Sequence, residues 1–355
     1  MQNKKSLLLV WTLVITIALV LFGCSSQSST DEAEQPSDER EGSETATETD
    51  SQFPITINHA LGEAVIESKP ERVVTIQWAN QDVALALGVV PVGFSAANFG
   101  VQDDSGLLPW TKEKLDELGE AAPNVFHDTD GLDFEAIADA NPDVILAAYS
   151  GITTEDYETL IEIAPVVAYP TAPWATTWRE QIEFNAAGMG MQAEGEQLIE
   201  ETEELIAEKL SAYPQINGKK VVWVNFSATD LSQLHIYTPI DSRVAFLEEF
   251  GLTYPESVTD LITDPESYSL RLSAENVESL FDADIIVGYG DDALYETIKA
   301  DPILGKIPAV ERGSVAFITS ESPLVAAGTP NPLSIAYTID DYLELIGEAI
   351  DKIEE

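Results

Sequence analysis

The chain has 355 residues, with 63 acidic side chains against 17 lysines and arginines and a formal net charge of −46. That balance excludes a nucleic-acid binder, whose affinity rests on cations meeting phosphates, and it argues against adhesion to an anionic membrane by charge. Self-repulsion at this level costs folding stability and is relieved by salt, which reads as an adaptation to a saline or alkaline habitat.

Lys4 and Lys5 precede Leu7 to Phe22, an apolar run broken by Thr12 and Thr16. A basic start, an apolar core and small residues at its end describe a secretory signal over residues 1–23. The run is shorter than the roughly 20 residues of a spanning helix. Leu21-Phe22-Gly23-Cys24 resembles a bacterial lipobox, in which the cysteine becomes the lipid-bearing first residue. An uncleaved anchor and an ordinary secretory signal are the alternatives. Cys24 is the only cysteine, so it has no disulfide partner in its own chain, and the lipoprotein reading is preferred. Loss of residues 1–23 removes two lysines and no acid, leaving 15 cations against 63 acids. Residues 24–52 are Ser, Thr, Glu, Asp and Gln with almost nothing apolar, which predicts a disordered, charged linker between lipid and domain.

From Phe53 onward the pattern alternates strand and helix. Val73 to Ile76 reads as a buried strand, Asp82 to Leu87 as a helix ending at Gly88, and Val89 to Phe94 as a second strand around Pro91. Val144 to Ala148 and Val166 to Ala168 add strands, implying a parallel α/β sheet. Trp178 to Tyr213 is strongly helical, with a weak point at Gly188-Met189-Gly190 and a stop at Pro214. A second α/β set follows at Val221 to Phe226, Leu234 to Tyr237, Ile285 to Tyr289 and Val315 to Ile318. Pro332 to Ile353 closes the chain as a helix. The organisation expected is an N-terminal α/β lobe over 53–190, a connecting helix over 191–214, and a C-terminal α/β lobe over 215–355.

The two halves share one specific correspondence. Asp133-Phe134-Glu135 opens a helix leading into the strand that ends at Tyr149, and Ser273-Ala274-Glu275 opens one leading into the strand that ends at Tyr289. Asp133 and Ser273 are both suited to cap a helix N-terminus. Each tyrosine lies 14 residues past its glutamate. Ligands of open α/β sheets sit beyond the carboxyl ends of strands. Tyr149 and Tyr289 are therefore expected to face each other across a cleft between the lobes.

With these elements in place, the chain resembles the ferric-siderophore substrate-binding lipoproteins of ABC importers, within the class III periplasmic-binding-protein family. The residues that carry the likeness are Ile57-Asn58-His59-Ala60-Leu61-Gly62, Lys69-Pro70-Glu71-Arg72-Val73-Val74, Asp82 to Gly93, Asn141-Pro142-Asp143-Val144-Ile145-Leu146, Ile163-Ala164-Pro165-Val166-Val167 and Asp301-Pro302-Ile303-Leu304. Tyr149 to Tyr157 is most similar to iron-siderophore binders of Gram-positive bacteria. The resemblance implies two α/β lobes joined by a long rigid helix, with modest closure of the cleft between them. It implies capture of a ferric siderophore and its delivery to an ABC permease dimer, with no catalysis and no cofactor. It implies a lipid-anchored monomer at the outer face of the cell membrane. One glutamate on each lobe meets permease arginines in that family, and the matching positions are Glu135 and Glu275. A carboxylate in the first turn of any helix is also favoured by the macrodipole alone.

Large aromatics suit a shallow site for a bulky chelate, because they bury much area with little rotamer entropy. Trp78, Trp174 and Trp178 are expected in the cleft, while Trp223 and Phe226 fit cleft or core equally; Trp110 is read as packing. Arginines are scarce, so their positions carry information. Arg243, after Tyr237-Thr238-Pro239-Ile240-Asp241-Ser242, lies in the segment matching the family's binding lobe and could donate to chelate oxygens. A surface ion pair is the alternative for it, and more so for Arg179 and Arg271. Val125 to Asp130 has no arginine or lysine, which disfavours a strongly anionic catecholate and favours a neutral or cationic hydroxamate chelate. His235 with Tyr237 is a weak candidate for direct iron ligation, with strand alternation putting both on one face. Asp128 to Asp133 has the composition of a calcium loop without its spacing, and reads as a capped turn. Haem or corrinoid capture by the same fold remains an alternative cargo. A secreted acid–base hydrolase remains an alternative class, supported by nothing beyond the abundance of acids.

Overall fold

A strand that ends on a sheet's carboxyl edge delivers its next residues to whatever faces that edge, and both lobes of this molecule use that device. The computed structural model describes residues 52–353 apart from 102, 104 and 129. The signal segment, Cys24 and the linker up to residue 51 lie outside the described residues, as does Thr129 of the acidic turn. Gln52 donates its side-chain amide to the carbonyl of Gly190 at 2.9 Å. Among the described residues, no helix is long and apolar enough to cross a membrane.

The first lobe opens with an antiparallel hairpin, β1 (Ile55–His59) and β2 (Gly62–Ile66). Then come β3 (Val73–Thr75), α1 (Asn80–Ala86), β4 (Gly93–Ser95), α2 (Pro109–Leu118), β5 (Val125–Phe126), α3 (Phe134–Asp139), β6 (Val144–Leu146), α4 (Thr154–Leu160) and β7 (Val166–Val167). The sheet order is β5-β4-β3-β6-β7, all parallel. The order reverses between β3 and β6, which places a crevice at their carboxyl ends. Two of the segments that carry the family likeness, Lys69 to Val74 and Asn141 to Leu146, bond to each other here. Asp143 accepts from the backbone N–H groups of Glu71 and Arg72, and Arg72 donates to the carbonyls of Ala140 and Asn141. The strand expected from Val89 begins only at Gly93, because Pro91 cannot donate to a ladder.

Two packed helices follow, α5 (Trp178–Gly188) and α6 (Gln192–Leu210), the second falling in the expected connecting segment. A Cβ on Gly195 would lie 2.6 Å from the Cβ of Ala186, so only glycine permits this approach. The second lobe continues with β8 (Val221–Ser227), β9 (Asp230–Tyr237), α7 (Ser242–Glu249), α8 (Glu256–Thr259), β10 (Ser269–Ser273), a 3-10 turn (Ala274–Leu280), β11 (Ile285–Tyr289), α9 (Asp292–Ala300), α10 (Pro308–Arg312), β12 (Val315–Ile318), α11 (Leu324–Ala327) and α12 (Pro332–Asp351). Its sheet order is β10-β9-β8-β11-β12. The β8-β11-β12 half is parallel, and β9 runs antiparallel to both neighbours.

Helix α12 joins the lobes. Ile335, Ile339, Tyr342, Leu343 and Ile346 recur at helical spacing and are all buried. They share one apolar cluster with Val83 and Trp110 of the first lobe, Trp178 and Ile182 of α5, and Trp223 and Val287 of the second sheet. Each such side chain contributes about 1.5–3 kcal/mol when fully buried. The cluster therefore resists separation of the sheets.

Candidate ligand-binding cleft

Loops from the carboxyl edge of the first sheet and segments around β9, β10, β11 and α11 of the second lobe converge on one cavity of about 340 Å³. Gln77 and Trp78 follow β3, Asn98 and Phe99 follow β4, Asp128 follows β5, and Tyr149 follows β6. From the second lobe come Tyr237, Asp241, Arg243, Tyr268 and Tyr289, with Val325, Ala326 and Thr329 around α11. Tyr149 and Tyr289 thus line a common hollow from opposite lobes.

The first lobe's wall is fixed by Asn80. Its side-chain amide donates to the carbonyls of Ile76 and Tyr149, and its Oδ1 accepts from the N–H of Tyr149 and from Asn185 of α5. These bonds hold the turns after β3 and β6 together. Gln77, Ala79 and Trp174 all have φ near +60°, the left-handed region that disfavours side chains. Such strain gathers at sites where position matters. Trp78 donates its indole N–H to Thr329 Oγ1 at 2.6 Å, a direct bond between the lobes. Trp174 stands edge-on to Tyr149 with ring centroids 5.3 Å apart.

The second lobe supplies a buried charge pair. Asp241 caps α7 by accepting from the N–H of Arg243, and its two oxygens accept from Arg243 Nη1 at 3.0 and 2.7 Å. Burial raises the Asp241 carboxyl and the nearby guanidinium draws it back down. Burial also works against the charge of Arg243, but Asp241 and the oxygens of Tyr289, Tyr149 and Tyr237 outweigh it and keep the guanidinium firmly cationic. Arg243 Nε donates to the Tyr289 oxygen at 3.2 Å, and its guanidinium lies 4.3 Å from the Tyr237 ring centre. Ser242 donates to the Tyr149 oxygen at 3.2 Å. Burial raises the Tyr149 phenol far above its ordinary value, so it stays protonated. Among the described residues, Arg243 is the one cation lining the cavity, set against Asp128 and Asp241.

Trp78, Trp174, Tyr149, Tyr237, Arg243 and Tyr289 meet at the cavity, and three expected residues do not reach it. Trp178 is 1% exposed and donates its indole N–H to Glu249 of α7. The capping box at Thr177 turns the chain into α5 and aims this indole at the core. Trp223 is fully buried behind the wall, edge-on to Tyr289 and Tyr237. Phe226 packs in the core on the other side of the sheet, with Val224 and Leu234. His235 and Arg271 line a neighbouring hollow. Arg179 pairs with Glu203 and Glu249 instead. Asp128 accepts from Ser95, which in turn accepts from the N–H of Gln77, so the acidic turn supports the cleft wall.

Glu135 and Glu275 are both exposed. Glu135 begins the helix after β5, and Glu275 begins the 3-10 turn after β10. Asp133 caps α3 through the N–H of Ala136, whereas Ser273 makes no such bond because a 3-10 turn follows it. The residues missed from sequence, Gln77, Asn98, Phe99, Asp128, Asp241, Tyr268 and Thr329, mostly follow strands whose carboxyl ends could have been extended into loops by the same rule.

The sequence pattern of the family described as "Periplasmic binding protein" matches residues 73–322. PiaA of Streptococcus pneumoniae TIGR4, solved in complex with ferrichrome, is 49% identical, with a TM-score of 0.81 over 84% of this chain and 99% of that one. A periplasmic solute binding protein of Mycobacterium smegmatis is 26% identical, with a TM-score of 0.67 over 83% of this chain and 98% of its own. The "Probable siderophore-binding lipoprotein YfiY" of Bacillus subtilis (strain 168) is 25% identical over 303 residues, 85% of this chain and 81% of that protein. A match that spans most of the domain, on a fold with this cleft, makes the chain a member of the periplasmic binding protein family.

Proposed function

We propose that this protein is the substrate-binding component of an ABC importer, that it captures a ferric siderophore of the hydroxamate type, and that it delivers the chelate to a membrane permease dimer. The observation that carries the reading is the cleft wall. Trp78, Trp174, Tyr149 and Tyr289 offer aromatic surface from both lobes around a single guanidinium, Arg243, whose charge Asp241 already balances. A site with two carboxylates and one cation disfavours a highly anionic catecholate complex and accepts a neutral or weakly charged one. The 49% identity with a protein crystallised with ferrichrome, a trihydroxamate chelate, supports the same assignment. Arg243 and the tyrosine hydroxyls donate to the oxygens around the iron, and the rings cover the organic periphery. His235 lies in the adjoining hollow, and no iron ligation is assigned to it.

The nearly continuous apolar segment before Cys24 supports a lipoprotein, held at the outer face of the cell membrane with residues 24–52 as the tether. Glu135 and Glu275 are the charges proposed to orient docking on the permease. The boundaries 53–190, 191–214 and 215–355 describe the lobes and connector of this reading. Tryptophan quenching titrations with ferrichrome, ferrioxamine B and a ferric tricatecholate test the assignment. Saturable quenching by a hydroxamate complex is expected, and tight binding of the tricatecholate alone overturns it.

A further inference from the structure

Among the described residues, Arg72, Arg179, Arg243 and Arg312 each donate to a carboxylate, a hydroxyl or a backbone carbonyl. Arg271 has no hydrogen bond or ion pair from its side chain to any described residue. It lies on the edge strand β10, directly opposite His235 of β9, which lies directly opposite Asn225 of β8. Alternation puts the three side chains on one face of the sheet, in a row across three strands. Gln233, two residues from His235, lies on the same face.

These four side chains line a hollow of about 500 Å³ beside the main cavity. Tyr237 lines both spaces, so the hollow adjoins the cleft at that ring. The side chains of Asn225, Gln233 and His235 make no hydrogen bond to any described residue. Burial lowers the proton affinity of His235, and the charges of Arg271 and Arg243 lower it further, so the imidazole is neutral and leaves Arg271 as the cation of the row. Asp230 at the hairpin tip also lines the hollow; it accepts from the N–H and hydroxyl of Ser232 and makes no ion pair with Arg271.

We propose that this row is an annex of the binding site that takes an acidic arm on the periphery of the chelate, with Arg271 pairing a carboxylate and Asn225, Gln233 and His235 donating to its oxygens or to a linking amide. The proposal rests on the hydroxamate reading above. It makes the protein selective for hydroxamate chelates that bear a free carboxylate away from the iron.

The test uses two complexes with the same iron centre. Ferrioxamine B ends in an ammonium group, and its N-succinyl derivative ends in a carboxylate. Both are titrated into wild type, Arg271→Gln and Arg271→Glu at one ionic strength, with ferrichrome as a third ligand and thermal melts to confirm folding. Wild type is expected to prefer the succinylated complex by about fivefold. The preference ratio falls to near one in Arg271→Gln and inverts in Arg271→Glu. A wild type that binds both complexes equally overturns the annex and leaves the hydroxamate reading standing. An unchanged preference in the folded variants overturns it as well, as does binding of ferrichrome with rejection of both ferrioxamines. Failure of all three hydroxamates to bind contradicts the underlying reading and the annex together.

Discussion

Asn331 donates its side-chain amide to Asp82 Oδ2 at 3.0 Å, tying the N-cap of α12 to α1 across 249 residues. The same carboxylate accepts from the Trp110 indole and the Thr111 hydroxyl at 2.8 and 2.7 Å. Asp82 is fully buried. Burial raises it from an ordinary 3.8 to about 6, against the pull of Thr111, Trp110, Asn331 and Gln81. The folded state therefore binds the proton more tightly than the unfolded chain. The stability this contributes is fully present below about pH 4 and is lost as pH rises through about 6.

Asp82→Asn removes that titration and serves as the reference. The stability of wild type relative to Asp82→Asn is expected to fall by up to about 3 kcal/mol between pH ~4 and ~7. Urea unfolding of both proteins at the two pH values measures it. Repulsion among the other acids is common to both proteins and cancels in the difference. A difference that is flat with pH contradicts the account.

The Arg243–Asp241 pair makes a second prediction. Only 16% of the Arg243 side chain and none of Asp241 is exposed. Arg243→Gln alone leaves a buried carboxylate without its cation, at a cost of about 3–5 kcal/mol. Asp241→Asn combined with Arg243→Gln recovers most of that stability. Both variants lose affinity for the chelate, because both lack the guanidinium. Urea unfolding and ligand titration separate the two effects, and a double variant no more stable than the single one argues against the pair.

Gly151 controls Trp174. A Cβ at this position would lie 2.3 Å from Trp174 Nε1, so Gly151→Ala forces the indole to move. Affinity for a ferric hydroxamate is expected to fall about tenfold, while the melting temperature shifts by only a few degrees. Unaltered affinity removes Trp174 from the site.

Glu135→Ala with Glu275→Ala is expected to leave chelate affinity within about twofold and to reduce cellular iron uptake at least about tenfold. Binding measured on purified protein, with uptake of radiolabelled complex by cells carrying the variant, distinguishes docking from capture. Normal uptake by the double variant excludes these two positions as docking charges.

The strand ends were the most legible part of the chain. Tyr149 and Tyr289 each follow an apolar run of strand length, and the shared spacing from Glu135 and Glu275 marked two similar units. Residues set by distant pairing were not legible. Arg271 lies beside His235 only because β10 pairs antiparallel with β9, and no local pattern states that register. Trp178 resembled a cleft residue because it follows a loop, yet the Thr177 capping box directs it inward. Asp241 caps α7 by a local contact, while its pairing with Arg243 depends on where that side chain folds back.

The central claim is that one trough, walled by aromatics from both lobes, holds the iron chelate. Isothermal titration of ferrichrome into wild type and into Trp78→Ala combined with Trp174→Ala tests it most directly. We predict one chelate per wild-type chain and a loss of at least about a hundredfold in affinity in the double variant. Wild-type affinity in a folded double variant would place the ligand elsewhere and contradict the account.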